Sequence, residues 1–255
     1  MNMSIVIAYK YAANPQDASV DGGGKVDWSR AKSAVSEYDP VAITVGRKLA
    51  DESGSEVVGI SVGGAQVASS LAKKAALSRG LDRALVVADD QTDGWNATVT
   101  AAALAELAKK VEGADLVITG DSSIDDGARM MSALIAGYLK WPCFQEVMQV
   151  EKTSDGYQIT QAVVGGTRAV SVNGPVVVAV ATDAVQVKAA SMKEVLSAGK
   201  KPLDQVVIPD LVLPDVALAV TEISKPPAKQ RKHEMFTGDD SAVKLVAALK
   251  GDGLL

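Results

Sequence analysis

The sequence has one cysteine, one histidine and only ten aromatic residues among its 255. A single cysteine excludes an internal disulfide, and no Cys/His cluster exists for a structural zinc or an iron–sulfur centre. No metal ligands are expected, and the scarcity of thiols suits a cytoplasmic, reducing setting. The lone imidazole, His233, stands in a Lys/Arg-rich tail, which argues against a histidine-based catalytic triad. Few aromatics and a formal net charge of −5 leave no nucleic-acid footprint. Apolar residues make up 47% of the chain, yet no unbroken apolar run reaches the roughly 18 residues that suggest a membrane span. Met1-Asn2-Met3-Ser4 lacks a basic region leading into an apolar stretch, so no signal peptide is expected. Any redox chemistry must be supplied by a cofactor.

What is present is an alternation of short apolar runs with helical patterns. Strands are expected at 4–9, 56–62, 84–88 and 115–119, with a polar segment over 10–24. Helices are expected at 40–52, 66–79, 97–110 and 127–139. Val67, Leu71, Ala75 and Ser78 share one face of the second, and Met131, Leu134, Ile135 and Tyr138 one face of the fourth. Strands without polar alternation, separated by helices, imply an open, mostly parallel α/β sheet with helices on both faces. After Trp141-Pro142, strand-like stretches follow at 144–151, 157–164 and 175–181, then a short helix at 191–199. Residues 1–208 read as one α/β domain and 209–255 as an arm ending in a small helix at 240–250. Residues 209–237 hold four prolines and the basic patch Lys225, Lys229, Arg231 and Lys232, too little for a core of their own. An arm of that length implies a partner subunit to lie on.

Open parallel sheets bind ligands beyond the carboxyl ends of their strands. Two turns fall there: Ser61-Val62-Gly63-Gly64, and Gly120-Asp121-Ser122-Ser123-Ile124-Asp125-Asp126-Gly127 leading into a helix. Unpaired amides at a helix start suit a phosphate. The two acids oppose one, and Asp125 or Asp126 as a plain helix cap is the competing reading. Neither G-x-G-x-x-G nor a P-loop is present. Gly22-Gly23-Gly24 reads as a surface turn, Cys143 as a small buried hydrophobe, and Gly165-Gly166 as a bulge or close backbone approach.

The order and spacing of several segments resemble the small (beta) subunit of electron transfer flavoproteins, in its FixA-type branch. They are Ile7-Ala8-Tyr9-Lys10, Ser36-Glu37-Tyr38-Asp39-Pro40, Ser61-Val62-Gly63-Gly64, Leu77-Ser78-Arg79-Gly80, Asp115-Leu116-Val117-Ile118-Thr119-Gly120-Asp121, Trp141-Pro142, and Ser191-Met192-Lys193 before Lys200-Lys201-Pro202. The resemblance implies an adenine-nucleotide alpha-hydrolase-like fold and an electron carrier with no catalytic activity of its own. Its alpha subunit would hold most of the FAD, with AMP or a second FAD in the beta subunit. It would pass electrons from a flavin dehydrogenase of the acyl-CoA dehydrogenase type to a downstream acceptor. Carried over position by position, the nucleotide would contact Ala8, Ser36 to Asp39 (including Glu37 and Tyr38), Val62, and the turn from Gly120 through Ala128, Arg129 and Met130 to Met131. Arg129 would offset a phosphate charge or pair with Asp126 three residues before it. The stretch Val187 to Lys201 would be the dehydrogenase-docking loop, with Met192 as its apolar anchor beside Val195 and Leu196. Two other readings stay open. An adenine-nucleotide hydrolase would need the acid and terminal hydroxyl that Ser61-Val62-Gly63-Gly64-Ala65-Gln66 lacks. An interaction subunit without nucleotide is suggested by the altered turn at 127–131, where the family's Gln and Gly are missing.

Overall fold

Strand β1 (Ser4–Ala8) is buried along its whole length, and its alternate residues enter two different cores. Ile5 and Ile7 pack on one face of the sheet, and Val6 and Ala8 on the other. This two-sided burial is why the run carries no polar alternation. The architecture comes from a computed structural model that describes residues 3–215, 221, 227 and 233–255. The basic patch Lys225, Lys229, Arg231 and Lys232 lies outside the described residues.

Four short strands follow, β2 (Tyr11–Ala13), β3 (Ser19–Val20), β4 (Val26–Asp27) and β5 (Ser33–Val35). They pair antiparallel, β2 with β5 and β3 with β4; β2 and β3 fall in the stretch over 10–24 where the sequence suggested only a polar segment. At two or three residues each they fall below the length at which alternation is readable. Gly24, at φ 88°, lies in the exposed turn between β3 and β4, so the three glycines form a surface turn as expected. The chain continues through α1 (Asp39–Ser53), β6 (Glu56–Gly63), α2 (Ser70–Leu77), β7 (Arg83–Ala88), α3 (Ala97–Lys109) and β8 (Ala114–Gly120). Then come α4 (Met131–Leu139), β9 (Cys143–Lys152), β10 (Gly156–Val163), β11 (Gly166–Asn173), β12 (Val176–Val180), α5 (Met192–Ala198) and β13 (Leu203–Gln205).

Nine strands form one sheet in the order β11-β10-β9-β12-β8-β1-β6-β7-β13. All pairings are parallel except β9–β10 and β10–β11, which make an antiparallel edge. Helices α1, α2 and α5 contribute to the core on one face, and α3 and α4 to that on the other. The chain runs outward from β1 to β6 and β7, then returns through α3 to place β8 on the opposite side of β1. The order therefore reverses between β1 and β8, the position where an open sheet leaves a crevice.

Some sequence expectations shift in detail. Residues 66–79 are not one helix: a 3-10 turn (Ala65–Ala68) precedes α2, which starts at the Ser69 cap, whose Oγ accepts the Ala72 N–H. The break changes the phase of the helix, so Leu71 is 69% exposed while Ala72, Ala76 and Leu77 are buried. Gly165-Gly166 marks no bulge; Val164-Gly165 is the two-residue loop of the β10–β11 hairpin, with Gly165 at φ 84°. Contacts divide the chain into Met1–Ala219 and Val220–Leu255. The second unit contains α6 (Ser241–Gly251), where Val243, Leu245 and Val246 are exposed. Among the described residues no helix is long and apolar enough to cross a membrane.

Candidate functional site

A cavity of about 420 Å³ opens at the switch point, walled by the carboxyl ends of β1, β6 and β8 and by the segment after β7. That volume is within the roughly 300–1,000 Å³ of small-molecule sites. Glycines let the backbone come close here. A Cβ on Gly63 would meet Val67 Cγ2 at 2.6 Å, and one on Gly120 would stand 2.8 Å from Asp39 Oδ1 and 2.9 Å from the Tyr38 carbonyl carbon. Gly59 acts one layer below, where a Cβ would lie 2.9 Å from the Tyr9 ring.

Asp39, the first residue of α1, is the most deeply buried acid of the wall. Its Oδ2 accepts the Lys10 N–H at 2.7 Å, and the Gly120 N–H is a second donor to the carboxylate. The side chain thus ties the ends of β1 and β8 together across the switch point. Burial pushes its pKa up to about 7, against the pull of the Lys10 N–H and ammonium and of the Gly120 N–H, with the Asp125 charge adding to the rise. Tyr9 beside it is raised as well, by burial and then by the Asp39 charge.

The turn after β8 does not start a helix at 127. α4 begins at Met131, and its cap residue Met130 gives no side-chain hydrogen bond. Neither Asp125 nor Asp126 caps it, which corrects the capping reading. Asp125 Oδ2 instead lies 2.7 Å from Lys10 Nζ. Burial would raise the Asp125 carboxyl, but the Lys10 hydrogen bond and charge hold it below the usual value. The Gly127 N–H donates to the Ser123 carbonyl at 3.0 Å and closes the turn. Arg129 does not pair with Asp126; at φ 53° it lies outside any helix, and its Nη2 donates to both Asp121 and Glu146. Asp121 is raised by burial, opposed by Arg129 and reinforced by Glu146.

Most of the expected nucleotide positions converge on this cavity. Ala8, Asp39, Val62, Gly120 to Ser123, Asp125, Asp126 and Ala128 to Met131 line it. Ser36, Glu37 and Ile124 line a side cavity of about 60 Å³ that shares Ala12, Ala13 and Asp125 with the main one. Tyr38 and Gly127 line neither, Tyr38 giving its backbone to the wall behind Gly120. Sequence reasoning missed Lys10, Tyr9, Tyr11, Gln66 and the stretch Thr92, Asp93 and Trp95. The last three follow β7, and applying the carboxyl-end rule to that strand too would have found them. Cys143 is half-buried at the start of β9, and burial raises its thiol.

Two cations, Lys10 and Arg129, share the wall with Asp39, Asp93, Asp121, Asp125 and Asp126. No metal-binding cluster occurs among the described residues. The Ser36 hydroxyl, at the side cavity, is buried with no hydrogen-bond partner among the described residues. With two cations facing five acids, and with the half-buried Trp95, Leu104 and the close glycine backbone, the cavity suits a small ligand of low charge better than a polyphosphate.

No residue of the stretch Val187 to Lys201 lines the cavity. Ser191 and Glu194 form a capping box at the start of α5, and the Lys201 ammonium donates to the Leu77 carbonyl at 3.1 Å and to the Leu81 carbonyl. Met192 is 74% and Leu196 65% exposed, Val195 is half-buried, and Ala198 anchors the helix in the core.

An open α/β sheet with a glycine-lined cavity at its switch point defines a small-ligand-binding domain of the doubly wound class. The electron transfer flavoprotein domain matches residues 24–211, and the chain belongs to the electron transfer flavoprotein family, a family of electron carriers.

Proposed function

We propose that the chain is the beta subunit, of the FixA type, of a heterodimeric electron transfer flavoprotein. Its reading as an adenine-nucleotide site rests on one observation above all: the close glycine backbone and the turn after β8, which wall most of the switch-point cavity, lie within the matched domain, and Ala8 to Ala13 complete the wall ahead of it. AMP or a second FAD would occupy it, with Asp39 holding the strand ends, Trp95 and Leu104 excluding water, and Lys10 and Arg129 nearest the phosphate. When bound, the flavin, held mostly by the alpha subunit, supplies the redox chemistry. The chain's own part is to bind, orient and shield. Met192, flanked by Val195 and Leu196, would dock a flavin dehydrogenase, and 209–255 would pack on the alpha subunit. A cytoplasmic setting suits the single half-buried thiol.

Co-expression with an electron transfer flavoprotein alpha subunit tests this reading. The two chains co-purify with flavin absorbance, and denaturation releases AMP or FAD identifiable by chromatography. A chain that purifies alone, together with an alpha subunit that gains no flavin in its presence, would overturn it.

A further inference from the structure

The β9 strand is irregular where it pairs with β12. On its β12 side Val178 pairs with Phe144 and Val180 with Val147, so Gln145 and Glu146 stand opposite the single residue Ala179. This is a bulge, the device by which a strand re-aims side chains beside a site. Glu146 takes φ 53° in it, a left-handed conformation that side chains other than glycine rarely adopt. Both bulge residues reach the same turn. Gln145 Nε2 donates to the Arg129 carbonyl at 3.0 Å and to Ser132 Oγ at 3.2 Å, while Glu146 accepts from Arg129 Nη2. Arg129 is itself left-handed at φ 53°. Gln145 is braced in turn, because the buried Gln161 donates to its carbonyl at 2.6 Å and Arg168 donates to Gln161 Oε1 at 2.6 Å.

Arg129 faces the cavity, yet two carboxylates already hold it: Asp121, which lines the cavity, and Glu146, which does not. We infer that Glu146, aimed by the β9 bulge, is a specificity-determining residue that parks Arg129 and so limits the grip of the site on a ligand's phosphate. The inference rests on the nucleotide reading of the cavity. A phosphate recruiting Arg129 must compete with both carboxylates, and every added phosphate charge also meets Asp121, Asp125 and Asp126. Ligand groups that do not use Arg129 are unaffected. Parking therefore tilts recognition toward the nucleoside end of the ligand.

Glu146→Gln keeps the shape and an acceptor oxygen but removes the charge. In the ligand-free full chain, labelling of Arg129 by phenylglyoxal, followed by mass spectrometry of its peptide, is expected to run several-fold faster in E146Q than in the wild type. An equal labelling rate overturns the parking of Arg129. Titration calorimetry with AMP and with adenosine forms the second arm. E146Q is expected to bind AMP about 5-fold more tightly, the upper scale of an exposed ion pair, with adenosine unchanged, and the gain is expected to vanish in an Arg129→Met background. A gain that persists without Arg129, or equal changes for AMP and adenosine, overturns the specificity role. If the wild type binds neither ligand, the nucleotide reading falls, and the labelling arm still decides whether Glu146 parks Arg129.

Discussion

Asp39 gives a prediction with a definite sign. Its ordinary carboxyl pKa near 3.8 is pushed to about 7 in the folded chain, so the folded state binds a proton that the unfolded state has released over that interval. Stability from this group is fully present below about pH 3.8 and is lost as pH rises through 7. A tenfold difference in proton affinity between the two states corresponds to about 1.4 kcal/mol, so the loss between pH 5 and pH 8 is on the order of 2–3 kcal/mol. Asp39→Asn imitates the protonated carboxyl, with one acceptor oxygen and one donor. It should match the wild type within about 1 kcal/mol at pH 5 and exceed it at pH 8. Urea unfolding of both proteins at four pH values measures this. With a slope of about 3 kcal/mol per molar for a chain of this size, the wild-type midpoint should fall by roughly 0.8 M relative to the variant across the range. Other carboxylates titrate in both proteins and cancel in the difference. Parallel curves, with the variant lower by a constant amount, would show that the Lys10 and Gly120 donors outweigh burial and would refute the reasoning.

Gly120→Ala would press a Cβ against Asp39 Oδ1 and the Tyr38 backbone. A thermal melt should show a loss of about 1–3 kcal/mol, and an unchanged melting temperature would contradict the close approach. Met192→Lys alters a side chain that is 74% exposed. Stability should stay within about 0.5 kcal/mol of wild type, while dehydrogenase-linked reduction of the assembled carrier falls; an unaffected rate would remove Met192 from the docking role.

The parts legible in the sequence are those set by burial over several consecutive residues. β1, β6, β7, β8 and β12 are each buried on both faces, and such strands announce themselves as apolar runs that only a covered parallel sheet accommodates. The carboxyl-end rule then marked Val62 and Gly120 before any geometry was known. The illegible parts depend on long-range partners or on backbone conformation. β11 carries mostly exposed residues and is held by its ladder to β10, so its apolar content says nothing. Whether Asp125 caps a helix or meets Lys10 is decided by a residue 115 positions earlier in the chain, at the other side of the switch point.

The acids of the turn follow the same pattern. Asp121-Ser122-Ser123-Ile124-Asp125-Asp126 looks like a capped helix start, because local side chains usually satisfy the first amides of a helix. Here the helix is delayed to Met131 and the acids are spent on cations, Asp125 on Lys10 beyond β1 and Asp121 on Arg129 of the same turn. A turn whose carboxylates are engaged in this way leaves its cations partly neutralised before any ligand arrives. Charge complementarity is then a weak source of affinity at this site. Affinity must come instead from close backbone approach at the glycines and from the apolar wall of Trp95 and Leu104.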